Sequence, residues 1–321
     1  SVLLNALNFS LCIDETNTEL PFIRLVDIGF SSRGLIAMLR SNLPSDQRHL
    51  ALYHRMTLNK EDAINPLDTK LQCRRPVSAH RQWLIQFITL MCRPYEGQLM
   101  DGIAGVAQMA VDMAYEKFES DEFAKRYNVK IEPTVDRGIE RYGIEIDEHT
   151  TWFELCDAFM EKDDIVCATR CHSRAMPLLS EVASQAQDQK ITGIYSEEAP
   201  YFWRAITETI NEIPIINAPT AIDLAAARII SLDLGGVTPK GNSGPAARQT
   251  ALMFSLGMWV IGNDILINEE MLREIPEYAR DYHERYMKKV RDAKKSIGAD
   301  EFHRTEGQPD VRNMFVTITR E

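Results

Sequence analysis

The sequence predicts an α/β fold with a mainly parallel sheet, and three features of the 321-residue chain carry that prediction. Short apolar runs closing on an aspartate recur at Phe22 to Asp27, Arg228 to Asp233 and Ser296 to Asp300. Stretches of helical periodicity separate them, and strands alternating with helices build a parallel sheet covered on both faces. The composition, 26% charged and 45% hydrophobic, is that of a globular chain able to bury a sizeable core in one large domain or two.

Each element follows in chain order. Ser1-Val2-Leu3-Leu4-Asn5 opens a helix that reads like the one following G-x-x-x-x-G-K-[ST], with Ser1 as the last residue of that motif. The strand at 22–27 comes next, then a helix and a second strand from Arg48 to Tyr53. Helical patterns cover Ile103 to Phe118, Thr151 to Met160 and Ile165 to Ala186, around a polar stretch holding Gly138 and Gly143. After the buried strand Arg228 to Leu234, Gly235 to Pro245 is a loop by its glycine and proline content. It holds Lys240, but it has neither G-K-[ST] nor the spacing of G-x-G-x-x-G, and so reads as a surface connection rather than a phosphate cradle. Helical sequence resumes from Ala246 to Val260 and from Glu269 to Lys295, the second amphipathic and closing on lysines that suit a helix C-terminus.

The last motif, Ser296-Ile297-Gly298-Ala299-Asp300-Glu301-Phe302-His303-Arg304-Thr305, carries the chemistry. An apolar run ending in adjacent Asp and Glu is the pattern with which P-loop ATPases place a metal-bound water and a catalytic base at a strand's C-terminal end. Together with the opening helix it points to a nucleotide hydrolase core cut through its phosphate loop.

Net charge is −11, and the segment from Glu96 to Lys190 holds 20 acidic and 10 basic residues, so it carries most of the excess. We read residues 96–188 as an acidic, mostly helical insertion in a core formed by 1–95 and 189–321. Such a surface repels nucleic-acid phosphates and suits a protein partner better; a solvated face with no partner is the plainer alternative. The six cysteines lack the spacing of a disulfide framework and fit a reducing compartment. Cys156, Cys167, Cys171 and His172 could gather near one another, yet no Cys-x-x-Cys or second histidine completes a tetrahedral metal set, so they read as buried cysteines beside a surface histidine. His49 and His54 read as ordinary strand-end residues, and Trp203 as a core or subunit-contact aromatic. The run from Thr250 to Ile261 is too short for a membrane span.

Three stretches together resemble a known family: the opening Ser1 to Asn5; Ile23 to Gly29 with Ser31-Ser32-Arg33-Gly34-Leu35; and Asp300 to Thr305. They are similar to the IcmB (DotO) ATPases of Dot/Icm type IVB secretion systems and to their conjugative counterpart TraU. Ala63-Ile64-Asn65-Pro66-Leu67-Asp68 resembles the Asn-Pro turn of the wider HerA/FtsK-like group. The resemblance implies a RecA/HerA-like P-loop ATPase core using ATP and Mg²⁺, with Ser1 a metal ligand, Asp300 holding the metal through water and Glu301 polarising the attacking water. It implies that Arg320 belongs to the stretch supplying an arginine to a neighbouring subunit. It implies a homo-oligomer, a hexamer, at the cytoplasmic face of the inner membrane, working with other secretion ATPases or membrane components on protein substrates. The glycine-rich turn and lysine that precede Ser1 in that pattern are absent, so this chain alone is expected to bind ATP weakly and hydrolyse it negligibly. A DNA-pumping motor and an inactive docking subunit are the rival readings.

Overall fold

The structure, a computed structural model, describes residues 2–14, 19–95, 98–224, 226–241 and 243–305. Four strands form one sheet: β1 (Phe22–Asp27), β2 (Ala51–Arg55), β3 (Ile229–Asp233) and β4 (Lys295–Ala299), in the order β2-β3-β1-β4 and parallel at every pairing. The fold class is the α/β one expected. Helix α1 (Val2–Cys12) precedes β1, and α2 (Arg33–Asn42) crosses from β1 to β2. Between β2 and β3 lie α3 (Ser78–Met91), α4 (Ile103–Glu119), α5 (Pro133–Tyr142), α6 (Trp152–Glu161), α7 (Ile165–Ala175), α8 (Leu179–Gln185), α9 (Gln189–Thr192) and α10 (Glu198–Glu212). From β3 to β4 the chain passes through α11 (Gly244–Gly262), α12 (Glu269–Glu274) and α13 (Glu277–Arg291).

Alternation along the strands explains how the sheet is covered on both faces. Ile23 and Leu25 of β1 and Ile229 of β3 turn to one face and pack with Leu35, Ile36 and Leu39 of α2 and with Leu4 and Phe9 of α1. Val26, Ile230 and Leu232 turn to the other and join a large cluster with Phe254 and Leu256 of α11 and Leu84, Phe87 and Ile88 of α3. That same cluster continues without a break through Val106 and Ala110 of α4, Phe153 and Phe159 of α6, and Val182 of α8. Residues 98–188 are therefore helical, and their apolar side chains share the core of the sheet's second face. Trp152, Phe153, Leu155 and Phe159 are buried there, so they pack the interior rather than present a contact surface.

Several boundaries differ from the sequence reading, each for a local reason. The second strand begins at Ala51 because Arg48–Leu50 forms a turn of 3₁₀ helix. The polar stretch around Gly138 is α5: Gly138 lies in a helix so close to Phe159 and Cys167 that a Cβ would meet the ring and the sulfur. Pro177 divides the helix expected over 165–186, and Pro276 divides the one over 269–295, since proline cannot continue a helix's hydrogen bonds. Lys295, read as the end of a helix, opens β4. Among the described residues no helix is long and apolar enough to cross a membrane.

Candidate active site

The three aspartates that close the apolar runs meet at one end of the sheet. Asp27 and Asp233 stand directly opposite each other in the β1–β3 register, and Asp300 follows β4, its amide donating to the Val26 carbonyl at 2.9 Å. Crevices in open parallel sheets form at this carboxyl end of the strands.

The aspartates do different work, and burial separates them. Asp233 is wholly buried, and its carboxylate accepts from the amides of Gly29 (2.9 Å) and Gly235 (2.7 Å) and from the Tyr53 hydroxyl (2.7 Å). Burial, with the bond to Asp233, drives the Tyr53 phenol well above its ordinary pKa. Asp27, also buried, accepts from Ser31 Oγ at 2.6 Å and from Ser32 N and Oγ at 3.3 and 3.2 Å. Ser32 Oγ also lies 2.5 Å from Ser231 Oγ on β3. These two carboxylates order the turns after β1 and β3. Asp300 is partly exposed, with Ser31 Oγ 2.9 Å from its Oδ2.

Helix α1 approaches this end with its N-terminus. Asn8 accepts from Ser296 Oγ at 2.7 Å, Leu4 packs on Gly298, and Asn5 Nδ2 donates to the Ser31 carbonyl at 2.7 Å. Moving toward the start of α1 thus moves toward the end of β4, and the positive end of the helix dipole faces Asp300 and the Ser31 turn. Ser1 itself lies outside the described residues, as does Arg320.

Glu301 adopts a left-handed backbone with φ of 59°, a conformation costly for a residue with a side chain and found most often where surrounding structure enforces it. Its half-exposed carboxylate lies 3.6 Å from His303 Nε2. On the far side of the site Arg55 reaches 3.6 Å from Asp233 and stacks on the Phe30 ring at 4.9 Å, a cation at the same sheet edge.

For Mg²⁺ the donors are of the right chemistry, hard oxygens from Asp300 and Ser31, but among the described residues no three metal-ligating side chains gather. A cation that keeps most of its water shell would fit such a sparse donor set. At the start of the 235–245 loop, Gly235 donates its amide inward to Asp233 rather than to a phosphate, and Gly236 lies against the Met56 carbonyl.

Residues the sequence left without a role here are Ser31, Ser32 and Tyr53. A serine pair four and five residues after a strand-ending aspartate was the available signal, since such hydroxyls cap nearby carboxylates and turns. Elsewhere, all six cysteines are free, and His172 is buried rather than at the surface, close to the Thr69 hydroxyl and carbonyl at 3.0 and 3.2 Å. His54 pairs with Asp62 at 2.7 Å. Trp203 is 41% exposed on α10 and is not a core residue.

No family model matches the chain, and no curated protein matches it. Among solved structures, VirB4 of Thermoanaerobacter pseudethanolicus is similar, with 12% identity and a TM-score of 0.47 over 93% of this chain and 67% of that one. The fold assignment rests on the sheet itself.

Proposed function

We propose that this chain is the core of a P-loop ATPase of the type IV secretion kind, within the IcmB (DotO) family that its motifs resemble. One arrangement supports the reading: Asp300 directly follows a parallel strand beside the N-terminal end of α1, and Glu301 comes next in a left-handed conformation. In this reading ATP and Mg²⁺ are the cofactors, and the bound metal neutralises charge on the transferring phosphoryl group. Asp300 holds the metal's water shell, Ser31 fixes the Asp300 carboxylate, and Glu301 accepts a proton from the attacking water. Ser1 would add a metal ligand and Arg320 a charge for a neighbouring subunit. The working form is a ring, a hexamer, peripheral at the cytoplasmic face of the inner membrane, with residues 96–188 as its acidic docking segment for protein partners.

Glu301→Gln tests this in a chain that carries the phosphate loop ahead of Ser1. Nucleotide binding should persist while hydrolysis falls by about 10²- to 10⁴-fold, the usual size of a general-base contribution. Turnover equal to the parent's would overturn the catalytic role and favour an inactive docking subunit.

A further inference from the structure

Helices α12 and α13 enclose a groove of about 690 Å³ whose walls carry Arg273, Arg280, Arg285, Lys288 and Arg291. Among the described residues, no carboxylate lies within ion-pair distance of Arg273, Arg285 or Lys288, all of them exposed. Arg280 gives one nitrogen to the Ile275 carbonyl at 3.2 Å and leaves its buried Nε without a partner. Glu269 and Glu284 also line the groove, and Leu272 and Met287 supply apolar surface. Arg291 lies 3.9 Å from Asp292, so the exposed cations without an ion pair on this wall, among the described residues, are Arg273, Arg285 and Lys288, in a chain of net charge −11.

The complement is on the same chain. The connection between α5 and α6 projects Glu145, Ile146 and Glu148, all exposed, with Ile146 showing 40% of its surface. Asp147 stiffens this tip by accepting from the amides of His149 and Thr150 at 2.8 Å. An apolar side chain between two carboxylates matches a groove with apolar surface between cationic walls.

We propose that the α12–α13 groove receives the Glu145–Glu148 tip of a second copy of this chain. A two-fold pairing that set groove on groove would place like charges together, whereas head-to-tail contact satisfies both surfaces and generates a ring or an open filament. Duplex DNA or an anionic lipid surface fits less well, because the acidic segment of the chain repels both. This inference rests on the homo-oligomeric part of the reading above and names its interface.

The test is light scattering and sedimentation of the full chain, without nucleotide, at about 50 mM and about 500 mM salt. The parent should self-associate at low salt and weaken by at least about tenfold at high salt. Arg285→Glu with Lys288→Glu, and separately Glu145→Lys with Glu148→Lys, should each abolish association while circular dichroism stays unchanged. Mixing the two charge-reversed proteins should restore it, since each then offers the surface the other needs. Association unaffected by either reversal would overturn the groove and leave the oligomer standing. A monomer at about 100 µM chain would overturn both. Capture of anionic vesicles or DNA by the parent but not by the groove variant, with no self-association, would assign the groove to a polyanion instead. Because no nucleotide is present, none of these outcomes depends on the Glu301 experiment.

Discussion

Asp27 and Asp300 end neighbouring parallel strands with their carboxylates in reach of a single hydroxyl, that of Ser31, at 2.6 and 2.9 Å. The one proton of that hydroxyl is shared between the two carboxylates, and its bond to Asp300 helps hold the Asp300 carboxyl below the usual carboxylate range. The buried carboxylate belongs to the fold and the exposed one to the site, so this hydroxyl couples the two.

Replacing Ser31 should therefore perturb the site more than the fold. In Ser31→Ala, Asp27 keeps both of its Ser32 donors, and the loss in stability should be about 1 kcal/mol. Asp300 loses a side-chain donor to its ionised form, so its pKa should rise. Ser32→Ala removes a buried hydroxyl that touches both Asp27 and Ser231, and should cost more. Urea denaturation of the two variants, with a carbon-detected titration of Asp300, reads both effects; equal stability losses and an unmoved Asp300 would refute the division of labour.

Tyr53→Phe tests the second buried carboxylate. Asp233 accepts from two amides and this phenol, and a hydrogen bond to a buried charge contributes about 1.5 to 3 kcal/mol. The variant should lose stability in that range with no change in secondary structure. A loss below about 0.5 kcal/mol would mean that Arg55 or water compensates fully.

Much of this frame was legible in the sequence because its signals are local. The aspartates at 27, 233 and 300 each close an apolar run, and a parallel sheet places such ends together whatever the strand order. The order β2-β3-β1-β4 was not legible, since it depends on which strands pair across long stretches of chain, as Ala51 does with Ile229 and Phe22 with Lys295. Helix α5 was hidden by Gly138, whose lack of a side chain is a packing need against Phe159 and not a turn signal. The breaks at Pro177 and Pro276 lay in plain view, but helical periodicity on both sides masked them. In the site, Asp300 and Glu301 announced themselves by motif, while Ser31 and Tyr53 gained roles only when the strands carrying their acceptors came together.

Gly236 and Gly34 make a matched pair for backbone crowding. A Cβ on Gly236 would overlap the Met56 carbonyl oxygen after β2, whereas one on Gly34, in α2, meets nothing within 4 Å. Gly236→Ala must push apart the turns after β2 and β3 and should destabilise by about 1 to 3 kcal/mol, the usual cost of overpacking. Gly34→Ala should stabilise by about 0.5 to 1 kcal/mol, because alanine loses less backbone freedom in a helix. Thermal unfolding of the two variants should move in opposite directions; a Gly236→Ala protein as stable as the parent would show that the crowding is absent.

Three histidines give the fold its sensitivity to acid. His80, His172 and His283, from α3, α7 and α13, are each at most 4% exposed, and each ring nitrogen lies against a carbonyl of the Pro66–Leu71 stretch, those of Pro66, Thr69 and Leu71. Burial holds each of them down to about 4 from an ordinary value of 6.5. The unfolded chain therefore binds more protons than the folded one between about pH 6.5 and 4, so their contribution is complete above 6.5 and lost as pH falls through that window. Each proton contributes a slope of about 1.4 kcal/mol per pH unit. Asp68, raised by burial to about 6, and Asp157, also raised by burial, act in the opposite sense and offset part of the histidines' uptake, leaving a net uptake of protons on unfolding. Stability measured by urea denaturation should fall steeply from pH 6 to pH 5. His80→Gln, which can keep the bond to Pro66, should flatten that slope by about one proton, and an unchanged slope would mean that His80 does not titrate on unfolding.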